Sequence, residues 1–113
     1  MASQRLQKIA RLIQKELGDI FQKESRAFCS GAMVTVTQVQ MSPDLGYAKV
    51  GLSIFSPGVD NKKIFAFVVS NNKQIRNQLG QRTKTQLRVI PELNFVLDDS
   101  LDYIEKIDNL LKS

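Results

Sequence analysis

Between residues 62 and 91 the chain carries Lys62, Lys63, Lys73, Arg76, Arg82, Lys84 and Arg88, and not one carboxylate. Cations with no acidic neighbours suit one task above others, the neutralisation of phosphates with release of their counterions. Near the N-terminus stands a second group, Arg5, Lys8, Arg11 and Lys15. At about 100° per helical residue, Lys8, Arg11 and Lys15 fall within roughly 60° of one another, and Lys73, Arg76 and Lys84 within roughly 80°. Scattered cations often do no more than solvate a surface. A carboxylate-free run of this length points instead to a binding face.

Other chemistry is poorly supplied. Histidine is absent, which removes a histidine general base, a Ser-His-Asp or Cys-His pair and a histidine-ligated metal. The single cysteine, Cys29, has no partner for an intramolecular disulfide and no histidine to activate it. Asp98 and Asp99 could be imagined on magnesium, but paired carboxylates at a helix start are commonly caps. Phe65 and Phe67 could stack on bases, yet aromatics at helical spacing usually fill a core. No enzyme, metal or cofactor is expected. No apolar run reaches the roughly 20 residues a membrane span needs, and the N-terminus has no signal-peptide core. A cytoplasmic protein is the expectation. The net charge of +5 over 113 residues favours a polyanionic partner.

The elements that must hold these cations follow from periodicity. Residues 3–23 form a predicted amphipathic helix, capped by Ser3, with Leu6, Ile9, Ile13, Leu17, Ile20 and Phe21 on its apolar stripe. Ala32–Gln40 and Tyr47–Phe55 are predicted strands of an antiparallel hairpin about the Ser42-Pro43-Asp44-Leu45-Gly46 turn. A second helix starts near Lys62 behind an Asp60 or Asn61 cap. Its apolar stripe breaks at Ser70-Asn71-Asn72, which predicts a kink there and an end at Gly80 or a turn later. Leu87–Leu97 is the third predicted strand, with Pro91 marking an edge or a bulge. Asp98-Asp99-Ser100 would cap a terminal helix over about 100–112.

This order places helices over one face of a three-stranded sheet, an α+β architecture. Several segments in sequence then resemble the ribosome-binding factor A family. They are Arg5-Leu6-Gln7-Lys8-Ile9 with Glu16-Leu17, Val39-Gln40-Met41-Ser42-Pro43-Asp44-Leu45, Ile75-Arg76 with Leu79-Gly80, and Arg88-Val89-Ile90-Pro91-Glu92-Leu93-Asn94-Phe95. The resemblance covers nearly the whole chain. It implies a single KH-like (type II) domain over residues 1–113, with a helix-kink-helix in place of the GxxG loop that holds phosphates in ordinary KH domains. The family's Ala-x-Gly element at the kink is replaced here by Ser70-Asn71-Asn72-Lys73.

The function it implies is non-catalytic binding to free immature 30S small ribosomal subunits, assisting late maturation and processing of 16S rRNA, with a cold-shock association. The implied partners are the small subunit and its 16S rRNA, with assembly GTPases as further candidates and no membrane, and a monomer is expected. The candidate RNA-binding residues are Arg5, Lys8, Arg11, Lys15, Lys73, Arg76, Arg82, Lys84 and Arg88, with the kink at Asn71 and Asn72. The competing reading is a protein-interaction or membrane-surface module using the basic amphipathic N-terminal helix.

Overall fold

The computed structural model describes residues 4–98. Its elements run α1 (Gln4–Lys23), α2 (Ser25–Cys29), β1 (Met33–Met41), β2 (Tyr47–Phe55), α3 (Asn61–Ser70), α4 (Asn72–Thr83) and β3 (Glu92–Leu97). The strands form one sheet in the order β1-β2-β3, with β2 antiparallel to β1 and parallel to β3. The α+β order read from periodicity is the one found, with α2 as an unpredicted addition. Ser3 and the proposed terminal helix lie outside the described residues.

One core joins all the elements. Ile13, Leu17, Ile20 and Phe21 of α1 are 1% exposed or less. They meet the inward side chains of the sheet, Val34 and Val36 of β1, Ala48, Val50, Leu52 and Ile54 of β2, and Leu93 and Phe95 of β3. Phe21 sets its ring edge-on to Phe95, with centroids 6.0 Å apart. Such a pair contributes about 0.5–1.5 kcal/mol beyond the area it buries. Leu12, on the awkward side of the apolar stripe, is half-buried.

β1 changes phase midway. Val36 pairs with Leu52 and Gln38 with Gly51, so Thr37 is an extra residue, a β-bulge. The bulge moves the inward set from Val34 and Val36 to Val39 and Met41, which pack on the core. It also dictates glycine opposite, because a Cβ on Gly51 would stand 2.6 Å from Thr37 Oγ1. Beyond β1 the chain reverses over Ser42–Leu45, where Leu45 N–H donates to Ser42 O at 2.9 Å and Pro43 holds the second position. Asp44 accepts from Ser42 Oγ at 2.6 Å and from Gly46 N–H at 3.1 Å. Those donors, the serine hydroxyl first, hold its carboxyl below the ordinary carboxylate range.

The third strand is shorter than periodicity suggests, starting at Glu92 and not at Leu87. Pro91 lacks an N–H for the ladder and stands just before the first paired residue, so residues 84–91 form a connecting loop. β3 is an edge strand, as proline predicts, while the bulge belongs to β1.

Candidate nucleic-acid interface

The cations of the second half are presented by a helix pair whose geometry follows from a few polar side chains. Asp60 caps α3 by accepting from Lys62 N–H at 3.0 Å. The pair breaks at Asn71, whose φ of −99° and ψ of 13° leave the helical region. Three donors meet the last carbonyls of α3 there. Ser70 Oγ donates to Phe67 O at 2.6 Å, Asn71 Nδ2 donates to the same oxygen at 2.9 Å, and Asn71 N–H donates to Val68 O at 3.0 Å. Asn72 Nδ2 reaches across to Leu93 O at 2.9 Å and ties the start of α4 to β3. These asparagines thus compete for backbone groups as their chemistry allows, and the kink is built from them without an Ala-x-Gly element.

From that junction α4 buries Ile75, Leu79 and Thr83 at every fourth position. The Thr83 hydroxyl is satisfied by Leu79 O at 2.8 Å. Lys73, Arg76 and Lys84 are left exposed on the other side. The loop that follows folds back against them. Arg76 Nε donates to Pro91 O at 3.0 Å and its Nη2 to Ile90 O at 2.7 Å. Gly80 allows the close approach, since a Cβ there would lie 3.2 Å from Ile90 Cγ1. Helix and loop enclose an open groove of about 1000 Å³ lined by Lys73, Arg76, Lys84 and Arg88, with Val89 and Ile90 on its loop side. No carboxylate lines it.

A second groove, of about 510 Å³, adjoins the first along the loop. Arg5 and Lys8 of α1, Asp44 and Leu45 of the hairpin turn, and again Arg88 and Val89 line it. Six of the nine candidate cations therefore converge on two adjoining grooves. The apolar contributors, Leu45 and Val89, were not candidates. A left-handed φ of 62° at Leu45, costly for a side chain of that size, sets the shape of the turn that reaches this groove.

The remaining three cations lie elsewhere. Arg11 and Lys15 are exposed on α1 and line neither groove. Arg82 is engaged within the fold. α4 continues to Thr83, which carries Arg82 toward α1, and there its Nη1 binds Asp19 Oδ2 and lies 3.4 Å from Glu16 Oε2. The Arg82 hydrogen bond, followed by that from Lys23, holds the Asp19 carboxyl below its ordinary range. Arg82 is raised in turn, chiefly by Asp19. The Arg82 charge is partly offset there by the two carboxylates.

Cys29 is fully buried, and desolvation pushes its thiol up to about 11. So little thiolate forms near neutral pH that it is a packing residue. Of the two phenylalanines, Phe65 packs against the core and Phe67 is exposed.

The sequence model described as ribosome-binding factor A matches residues 5–111 of the chain. The chain belongs to the ribosome-binding factor A family. A family member from Cytophaga hutchinsonii is 45% identical over 111 residues, spanning 98% of this chain and 83% of that one. The crystal structure of ribosome-binding factor A from Thermus thermophilus shares the fold at a TM-score of 0.68 and 16% identity, covering 81% of this chain and 94% of its own. A homology model of the Thermus thermophilus ribosome binding factor A, fitted into a cryo-EM map of a 30S complex with that factor, superposes at a TM-score of 0.50 and 17% identity. It covers 74% of this chain and 96% of its own.

Proposed function

We propose that this chain binds the small ribosomal subunit through its RNA, associating with free immature 30S particles and assisting the late maturation and processing of 16S rRNA without catalysing a reaction itself. The observation that carries the reading is the carboxylate-free groove in which Lys73, Arg76, Lys84 and Arg88 meet. Such a site neutralises phosphates placed along it and releases their counterions. Family membership supplies the class of partner, and the relative fitted into a 30S complex map supplies the particle. The cytoplasm, where those particles are assembled, is the matching location. Among the described residues no helix is long and apolar enough to cross a membrane.

The membrane-surface reading of α1 meets a physical obstacle. An interfacial helix needs a free apolar face, and Ile13, Leu17, Ile20 and Phe21 are already spent on the core.

The test is co-sedimentation from a cell extract. The protein is expected with free small subunits, and exclusive migration with complete translating ribosomes would defeat the assembly reading.

A further inference from the structure

Along each strand the side chains that alternate with the core set point away from the helices. Most of them are polar, Thr35, Lys49, Ser53 and Asn94 among them. One corner of the sheet departs from this. Met33 and Phe55 pair directly across β1 and β2, and they are 66% and 62% exposed. Val59 joins them from the following loop, 50% exposed. Its place is fixed by a tight turn over Ser56–Val59, in which Val59 N–H donates to Ser56 O at 3.1 Å and the Ser56 hydroxyl donates to Val59 O at 3.0 Å. Pro57 in the second position and Gly58, at a φ of 81°, in the third suit a type II turn. The three apolar side chains border one hollow of about 290 Å³, lined also by Pro57 and Ile64 and by no charged residue.

The described chain leaves the sheet toward that corner. β3 runs parallel to β2 with Leu97 beside Leu52, and Asp98 N–H donates to Leu52 O at 2.7 Å. Phe55 lies three residues further along β2, about 10 Å at the rise of a strand. The sequence that follows has Leu101, Ile104, Ile107, Leu110 and Leu111 at spacings of three and four, one apolar stripe of a predicted helix with an apolar surface to find. We propose that residues 101–111 lay this stripe over Met33, Phe55 and Val59, so that the chain's own continuation closes the exposed corner of the sheet. Charge agrees with that placement. Asp99, Asp102, Glu105 and Asp108 outnumber Lys106 and Lys112 in the segment, and exposed Lys62 and Lys63 stand three and four residues beyond Val59. The basic grooves offer cations too, but both are lined by the loop that enters β3 at its opposite end. The proposal stands apart from the RNA reading and does not depend on it.

The test is hydrogen–deuterium exchange of the full chain, read by mass spectrometry. Amides of residues 102–111 are expected to exchange at least about tenfold more slowly than the same segment as a synthetic peptide. Phe55→Ser and Met33→Ser should each bring them back toward the peptide rate. Both positions are exposed, so the thermal midpoint of the domain and the exchange of α1 should hold. Val89→Ser, which removes an exposed apolar side chain outside the corner, should leave the protection intact. Exchange at the peptide rate in the unaltered protein overturns the proposal. Protection that survives both serine variants overturns it too. Protection lost only when Lys73 and Lys84 are changed to glutamate would put the segment in the basic groove instead, and protection that grows with protein concentration would assign the contact to a second copy; either result defeats the proposal.

Discussion

The cations on the two sides of α4 have opposite fates. On its outer side Lys73 and Lys84 stand with Arg88 over a groove that contains no carboxylate. On its inner side Arg82 turns to α1 and is consumed by Asp19 and Glu16. Net charge counts the two sides alike. What separates them is the sign of the side chains that folding brings opposite: α1 supplies acids at Glu16 and Asp19, and the loop before β3 supplies none. The proposed phosphate site lies on the side where no carboxylate lines the groove.

The contrast is most sharply tested by removing the open cations. Changing Lys73 and Lys84 together to glutamate should weaken small-subunit RNA binding by about tenfold or more and lower the salt slope by about two units, with the thermal midpoint nearly unchanged. Binding titrations over a salt series read both quantities, and unchanged affinity would abolish the distinction between the two sides. Arg76 is unsuited to that test, because charge reversal there would also strip donors from Ile90 O and Pro91 O. Arg76→Met should instead destabilise the fold by about 1–2 kcal/mol and weaken RNA binding as well, as chemical denaturation and anisotropy would show. A variant that loses affinity at full stability would mean that Arg76 touches phosphate directly.

On the inner side the expectation reverses. Arg82→Gln should leave RNA affinity nearly unchanged and lower the thermal midpoint modestly at neutral pH. The pH dependence follows from Asp19, whose folded pKa is depressed by Arg82. Its stabilisation is fully present above the ordinary carboxylate range and is lost as pH falls through the depressed folded value. Thermal melts through the acid range should therefore converge for the two proteins at low pH, and a gap that persists there would exclude the ion pair as its source. The smallest effect belongs to Arg11→Gln with Lys15→Gln. These cations line neither groove, and affinity should move by less than about twofold at moderate salt. A larger loss would extend the interface along α1.

Much of this was legible in the sequence, for identifiable reasons. The α1 stripe, the hairpin and the helix break all rest on local patterns, hydrophobic periodicity, a Pro-Asp turn and consecutive asparagines, and local patterns survive into the fold. The carboxylate-free run was legible too, and the fold gathers Lys73, Arg76, Lys84 and Arg88 from it along one groove. The ion pairs of Arg82 were not, because Glu16 and Asp19 lie more than sixty residues away along the chain, and helical angle alone cannot say what faces a residue. Leu87–Ile90 lie outside β3 for a related reason. Those residues have strand-like composition, but their backbone is held by Thr83 and Arg76, partners that periodicity does not show. The β1 bulge did leave a trace. Val36 and Val39 are three apart in a strand of period two, an offset that marks an inserted residue.

The parallel pairing of β2 with β3 has a kinetic meaning. The β1–β2 hairpin can close over a few residues, but β3 must cross back over all of residues 56–91 before it can lie beside β2. Pairings between distant parts of a chain bear a larger loop-closure entropy and form late. The connection from α4 into β3 is the last stretch of that crossover, so Arg88 and Val89 gain their fixed placement only when the final strand docks. Chains still in the act of folding, or newly emerged from synthesis, would have the charge to attract RNA but not the shape to hold it in register.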